Sequence, residues 1–322
     1  MRVLTIVIFF LTSTLFVNAQ TKLYPSLEIN ASASVISSFV FEDSLHVTTD
    51  KGTVEIFDTH TLKPKNIITL SKITGGYTEE LVSPRVINVD AIDSENLLIL
   101  SEDSRAGRAL YIYNNGNFIQ VFSFLDKLNI SKAYFYDKNR LLLGLLSNEL
   151  ILYDIPKKEF IYKVQPHWSM LADFTLSSDR QTAFLAGESG IVYMYNVKDG
   201  KKIREFSLHV NIIQSQKFAS NTLITGGSDK KINVVQTMSS SSYSLNANFP
   251  VYAVGISPSG KIGAYVANED NDINIFNTIT KEVIATLHGI NPYVSVNGIN
   301  FLNEKEIVIT SSSKTILKWE LP

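Results

Sequence analysis

Two aspartates are the residues of this sequence best suited to chemistry. Asp90 and Asp173 each lie inside a short apolar segment, and His167 precedes the second. Paired carboxylates act as general acid and base when they face each other across a substrate. Sequence positions alone do not fix the distance between them, so we interpret both as solvated residues that line a cavity. An enzyme or small-ligand binder that uses Asp90 and Asp173 is the alternative.

No combination of residues predicts a metal or cofactor site. The histidines fall in different parts of the chain and form no local pair: His46, His60, His167, His209 and His288. Asp270 to Asp272 resemble the start of a calcium loop, but the required Gly and terminal Glu are missing. The absence of cysteine excludes disulfides, thiolate metal sites and covalent haem attachment. We expect no metal and no cofactor.

Further classes of function lack their sequence signals. The chain has no Gly-rich phosphate loop and no Gly-x-Ser-x-Gly elbow. It contains 29 basic and 31 acidic residues without a long block of either sign, so the basic footprint of a nucleic-acid-binding protein is missing. We expect a protein that is not an enzyme and has no nucleic-acid partner.

The N-terminus has the layout of a signal peptide. Arg2 precedes an apolar run from Val3 to Phe10, and small residues end at Ala19. The run is shorter than the roughly 20 residues that cross a bilayer. We expect cleavage after Ala19, a periplasmic or secreted location, and no membrane insertion afterwards.

The elements that would position any site repeat along the chain. Short segments with an aromatic or apolar residue before a polar one recur every 40 to 43 residues, apart from one interval of 56; their middle residues are Phe57, Tyr113, Tyr153, Tyr195, Val235, Phe276 and Trp319. This period is typical of four-stranded propeller blades. The long interval contains a polar segment, 71–84, which we interpret as a loop inserted between the first and second blades.

These repeats predict an all-β fold, a seven-bladed β-propeller of four-stranded antiparallel blades over residues 20–322. In the sixth repeat we predict strands over 251–256, 261–267, 272–277 and 282–287. The seventh repeat stops after its third strand. The N-terminal segment 21–30 could supply the missing strand and close the ring, which removes open strand edges. Asp90 and Asp173 then lie on innermost strands beside a central channel.

Several segments resemble the WD-repeat family of propellers across essentially the whole predicted domain. Gly255 to Lys261 and Thr225 to Ile232 are similar to the strand-turn signatures of that family. The family's hydrogen-bond network of His, Ser, Trp and Asp is incomplete in every blade. The fifth blade offers His209, Thr225 and Asp229 but has Val235, whereas the seventh offers His288, Ser311 and Trp319 but has Lys314.

The resemblance implies a partner-binding face made of the inter-blade loops and the turns between second and third strands. These loops carry aromatic and hydrogen-bonding residues that we predict to bind a protein: Arg85, His167, Trp168, His209, Asn211, Phe249, Tyr252 and Tyr293. Trp, Tyr and Arg are over-represented among residues that dominate binding energy. Packing between blades is the alternative for Trp168, Phe249 and Tyr293.

The sequence therefore favours an exported protein-binding scaffold or assembly factor whose partners are envelope proteins. The leader, the degenerate repeats, the lack of cysteine and the Asn/Lys/Ile-rich composition together resemble the periplasmic WD-repeat accessory proteins of periplasmic nitrate reductase systems. That resemblance implies a role in the maturation of a molybdenum enzyme, with no cofactor bound by this chain.

Overall fold

The computed structural model describes residues 21–75 and 79–322, and the predicted signal peptide lies outside them. In chain order the strands are β1 (Thr21–Leu23), β2 (Leu27–Asn30), β3 (Val35–Phe41), β4 (Ser44–Thr49), β5 (Thr53–Asp58), β6 (Pro64–Thr69), β7 (Ile73–Thr74), β8 (Leu81–Val82), β9 (Val86–Ala91), β10 (Asn96–Glu102), β11 (Arg108–Asn114), β12 (Asn117–Phe122), β13 (Ile130–Asp137), β14 (Arg140–Leu145), β15 (Leu150–Asp154), β16 (Glu159–Val164), β17 (Leu171–Leu176), β18 (Thr182–Gly187), β19 (Ile191–Asn196), β20 (Lys202–Ser207), β21 (Ile213–Ala219), β22 (Thr222–Gly227), β23 (Lys231–Gln236), β24 (Ser241–Asn246), β25 (Val254–Ile256), β26 (Ile262–Val266), β27 (Ile273–Asn277), β28 (Val283–Leu287), β29 (Val296–Phe301), β30 (Glu306–Ser311) and β31 (Thr315–Glu320). Short 3-10 helices lie at Ser104–Ala106 and Phe124–Asp126.

The strands form seven blades in a ring, which confirms the predicted fold. Blades 1 to 5 are β3–β6, β9–β12, β13–β16, β17–β20 and β21–β24, each ordered from the innermost to the outermost strand. Blade 6 is β25–β28, and blade 7 is β29–β31 with β2 as its outermost strand. The inserted segment between blades 1 and 2 carries a hairpin of β7 and β8.

Seven hydrophobic clusters hold the ring, and each lies between two neighbouring blades. One cluster joins blade 7 to blade 1, where Val308 and Ile316 pack with Leu45 and Phe57. Trp319 is fully buried between blades 6 and 7. Because every blade interface has its own apolar core, the ring is closed without a gap.

The predicted closing segment is divided between two blades. β2 pairs antiparallel with β31, from Leu27 opposite Lys318 to Asn30 opposite Thr315, and so completes blade 7. β1 instead pairs parallel with β28 as a fifth strand on blade 6. Prediction of a closing strand was therefore right for 27–30, whereas 21–23 covers a different edge. The innermost strand of blade 6 is also shorter than predicted, since it begins at Val254.

Candidate functional site

The inter-blade loops and the turns between second and third strands lie at one end of the ring, which we call the loop face. This follows from the strand order, because the outermost strand of each blade ends where the innermost strand of the next begins. Backbone hydrogen bonds tie loop to turn: His209 N–H donates to Gly190 O at 3.0 Å, and Val251 N–H donates to Gly227 O at 3.0 Å. The loops are therefore held on a rigid frame.

Trp168 and Tyr293 project from the loop face, with 89% and 94% of their surface exposed. Such exposure leaves neither ring packed between blades, so the packing alternative fails for both. Tyr252 is also exposed, and its ring meets the half-buried Phe249 edge to face, with centroids 6.0 Å apart. Phe249 thus packs against the Tyr252 ring, and because it is half-buried the packing alternative holds in part for this residue.

Arg85 and His167, two polar residues predicted for this face, contact neighbouring segments of the ring. Arg85 is exposed and lies 3.8 Å from Glu102. The half-buried His167 accepts from Ser169 N–H at its Nδ1 atom, and its ring stacks on Tyr193 at 6.0 Å. The two contacts of His167 fix the loop that presents Trp168.

His209 differs from the other predicted residues because it is buried. Its Nδ1 atom lies 2.8 Å from Asp229 Oδ1, and its Nε2 atom lies 2.8 Å from Thr225 Oγ1. Burial lowers the pKa of His209, although Asp229 opposes this shift. The ring is thus an internal brace of the loop, while the neighbouring Asn211 is exposed and caps Ile212 N–H.

The second partial network of the WD pattern does not assemble. His288 turns towards blade 6, where its Nδ1 atom lies 2.7 Å from Asp272 Oδ1. Ser311 instead shares a hydrogen bond with Ser313, and the buried Nε1 of Trp319 has no hydrogen-bond partner among the described residues. Among the described residues, the His–Thr–Asp part of that network assembles in blade 5.

Sequence reasoning missed the apolar residues of the loop face. Exposed aliphatic or sulfur-containing side chains also occur in the described inter-blade connections, including strand β8 of the inserted segment and the loop that carries Trp168: Leu81, Val82, Leu125, Met170 and Val210. With Trp168, Tyr252 and Tyr293, they place an exposed large apolar side chain on six of the seven loops; loop 31–34 is the exception. An apolar residue inside a polar inter-blade loop was the available sequence signal.

The opposite end of the ring, which we call the opposite face, is less apolar. Among the described residues its turns expose two large hydrophobic side chains, Met238 and Ile279. The remaining exposed ones lie mostly on outermost strands, as at Ile67 and Phe160. Apolar side chains that reach solvent from loops are therefore concentrated on the loop face.

Asp90 lies on the innermost strand of blade 2, as predicted, but it is closed off from solvent at 1% exposure. Arg180, from the first turn of blade 4, donates to both of its carboxylate oxygens at 2.7 and 3.0 Å. The same guanidinium donates to Phe135 O and Ala91 O at 2.6 Å each. Burial raises the pKa of Asp90 more than Arg180 lowers it. The Arg180 side chain of blade 4 therefore links blades 2 and 3 to its own blade.

Asp173 is likewise engaged within the ring. Its Oδ1 atom pairs with Lys132 Nζ of blade 3, and its Oδ2 atom accepts from Gln216 N–H of blade 5 at 2.7 Å. Burial alone would lower the pKa of Lys132, but the Asp173 carboxylate raises it. Burial and the charge of Lys132 lower the pKa of Lys217 beside them. Both predicted carboxylates thus serve as links between inner strands.

The described ranges contain no group of three or more His, Asp or Glu residues arranged to hold a metal ion. They also contain no helix that is long and apolar enough to cross a membrane. Fold and site together define a seven-bladed β-propeller, consistent with a WD40-like propeller, whose loop face exposes apolar side chains. Neither a protein-family model nor a curated protein matches the chain.

Proposed function

We propose that this protein is a binding scaffold that recognises another protein through its loop face. The observation that carries the proposal is the exposed apolar side chain on six of the seven inter-blade loops. Scattered single hydrophobic residues on a surface need no explanation, whereas their concentration on one face marks an interaction site. A fold alone does not define a function, so the proposal rests on this face.

The composition of the face fits the centre of a protein interface. Interface centres are enriched in aromatic residues, Met and Arg, and the loop face supplies Trp168, Tyr252, Tyr293, Met170 and Arg85. Trp and Tyr bury a large area while keeping a polar group for hydrogen bonding. Loop-to-turn hydrogen bonds hold these loops before binding, which reduces the entropy that ordering would cost.

Two finer statements belong to this proposal. The leader-like N-terminus favours an envelope location and envelope proteins as partners, without metal or cofactor in this chain. The resemblance to accessory proteins of periplasmic nitrate reductase systems makes the catalytic subunit of such an enzyme, before cofactor insertion, the first partner to test.

Paired variants of the two faces test the scaffold. We expect Trp168→Ala with Tyr293→Ala to weaken capture of the partner by about 1–4 kcal/mol per residue. Their melting temperature should stay within about 2 °C of the wild type, because surface changes are usually worth under ~0.5 kcal/mol. Met238→Ala with Ile279→Ala removes comparable exposed apolar surface from the opposite face and should leave capture unchanged.

Cross-linking in envelope extracts first identifies candidate partners. The affinity of the immobilised protein is then measured for each of them and for the nitrate reductase subunit. Equal binding by the two variant pairs would reject the loop face as the docking surface. If another envelope protein binds and the nitrate reductase subunit does not, the scaffold function is supported and the assignment to nitrate reductase is rejected.

A further inference from the structure

A polar cleft lies between blades 5 and 6 and opens at the loop face. Its volume is about 260 Å³, close to the lower limit of roughly 300 Å³ for small-molecule sites. The ends of β24, β26 and β28 surround it, and Lys22 of the extra strand β1 forms one side. Amide, carboxylate and imidazole groups dominate the lining: Asn246, Asn248, Asn268, Asn274, Asp272 and His288.

The charges in the lining are largely compensated. Asp272 Oδ1 lies 2.7 Å from His288 Nδ1, and Asp272 Oδ2 accepts from the Asn268 amide at 2.9 Å. With His288 neutral, the cleft is lined by one negative group, Asp272, and one positive group, the exposed Lys22 of β1. A highly charged ligand would therefore find little net charge to oppose its own.

One polar atom of this cluster lacks a partner. His288 Nε2 is buried and makes no hydrogen bond within the described ranges. Because Nδ1 contacts a carboxylate, the ring hydrogen resides on Nδ1 in the neutral form, which leaves Nε2 as an acceptor. A buried polar atom without a partner is unfavourable, so the ring gains a stabilising contact if the lining rearranges around a hydroxyl donor.

The floor of the cleft is a fixed hydrogen-bonded chain. Thr286 Oγ1 donates to Asn274 Oδ1 at 2.8 Å, and Asn274 Nδ2 donates to the Tyr265 hydroxyl at 3.1 Å. Since the Tyr265 oxygen accepts this bond, its own hydrogen can be donated to a ligand. The floor therefore presents oriented polar groups without reorganisation.

The rim of the cleft adds two amides that are free to reorient. Asn246 and Asn248 are exposed, and their side chains make no hydrogen bond to another described residue. Planar amides that donate and accept together match neighbouring hydroxyls.

We propose that this cleft binds a neutral carbohydrate. The compensated charge disfavours phosphate and acidic sugars, and the shortage of apolar lining disfavours lipids or drug-like molecules. The Asn246 and Asn248 amides at the rim and the Tyr265 hydroxyl on the floor together match a polyhydroxylated ring. The site is separate from the apolar loop residues, so it stands whether or not those residues bind a protein.

The equivalent cleft one blade further on has different chemistry. Between blades 6 and 7 a cleft of about 200 Å³ is lined in part by Ile290, Val294, Ile309 and Leu317, with Glu28 at its edge. Blade geometry alone therefore creates a cleft, and the Asn-rich lining belongs to the one between blades 5 and 6.

The test uses the purified full chain and neutral sugars: glucose, galactose, N-acetylglucosamine, maltose and cellobiose. Saturation-transfer NMR followed by calorimetry should detect saturable binding of at least one sugar with a Kd of about 1 mM or tighter. Asn246→Leu with Asn248→Leu should weaken that binding at least about fivefold, since each lost hydrogen bond contributes about 0.5–1.5 kcal/mol.

Glu28→Gln in the neighbouring cleft is the matched control and should bind the sugar as the wild type does. Melting curves establish that the rim variant is folded, which is expected because neither amide supports the chain. Absence of saturable binding for all five sugars overturns the proposal. So does undiminished binding by the rim variant, or saturable binding of inorganic phosphate without any sugar.

Discussion

Replacing Arg180 by Met should strongly destabilise the ring, because it leaves a buried carboxylate without its cation. Arg180 lies in a turn of blade 4 with a left-handed φ of 59°, and it makes four hydrogen bonds to blades 2 and 3. Met has a similar length, no charge and the same backbone constraint. The substitution therefore isolates the loss of the guanidinium.

The expected loss follows from the burial of the pair. Asp90 is 1% exposed and the side chain of Arg180 is 16% exposed. Removing one partner of a buried ion pair costs about 3–5 kcal/mol, since the other charge stays desolvated. At roughly 2 °C per kcal/mol for a chain of this size, the melting temperature should fall by about 6–10 °C.

The pH dependence gives the prediction a sign. Burial already raises the pKa of Asp90, and loss of Arg180 raises it further. A group with a raised folded pKa binds its proton more tightly in the folded state, so its contribution is lost as pH rises through that pKa. The difference in the free energy of unfolding between Arg180→Met and the wild type should therefore become smaller towards pH 4.

Chemical denaturation at pH 4, 5.5 and 7, with matched melting curves, measures both effects. Arg140→Met is the control, because Arg140 pairs with Asp137 at the surface with both side chains over 30% exposed, where such pairs contribute about 0–1 kcal/mol. Asp90→Asn combined with Arg180→Met should recover part of the loss. The prediction is wrong if Arg180→Met loses no more stability than Arg140→Met. It is also wrong if the double variant is no more stable than Arg180→Met.

Two further predictions concern the histidine of blade 1 and the closing strand. Burial lowers the pKa of His46 to about 4, so this group is neutral when folded, and stability should fall by about 3 kcal/mol from pH 6.5 to pH 4; His46→Leu should flatten that slope in denaturation curves measured across this range, and an unchanged slope would assign it to other groups. Truncation through Asn30 should remove β2, open the ring and cost at least about 3 kcal/mol of buried apolar contact, whereas truncation through Leu23 removes β1 alone and should cost much less; equal melting temperatures for the two truncations would contradict ring closure by β2.

The blade pattern could be predicted from sequence because each blade repeats the same packing requirement. The residue before the polar one on each third strand is a large or β-branched apolar residue, and Phe57, Phe276 and Trp319 are all buried between blades. Inter-blade cores need such residues at a fixed period, so the period is visible despite degenerate motifs. The position of the loop face follows from strand order alone.

Contacts between distant repeats could not be predicted in the same way. Arg180 is 90 residues from Asp90 in sequence. It lies in a turn, where a basic residue is usually interpreted as exposed to solvent. The cleft between blades 5 and 6 gathers residues from several strands, including Lys22 of β1. Strand β1 has only three residues, so its apolar pattern is too short to predict that it pairs with blade 6 and not with blade 7.

The use of buried polar groups separates the structural parts of the ring from the parts free for recognition. Asp90, Asp173 and His209 resemble catalytic residues by type, yet each one is bonded to another segment of the ring. Similar bonds join blade 7 to blade 1, where Asn300 donates to Ser38 Oγ at 2.6 Å. Because these groups are committed to holding inner strands and loops in place, changing them alters stability first. By contrast, Trp168 and Tyr293 on the loop tips are almost fully exposed, and the Asn246 and Asn248 side chains at the rim of the blade 5–6 cleft make no hydrogen bond to another described residue. Trp168, for example, can change without disturbing a core, and so recognition is expected to depend on these surfaces.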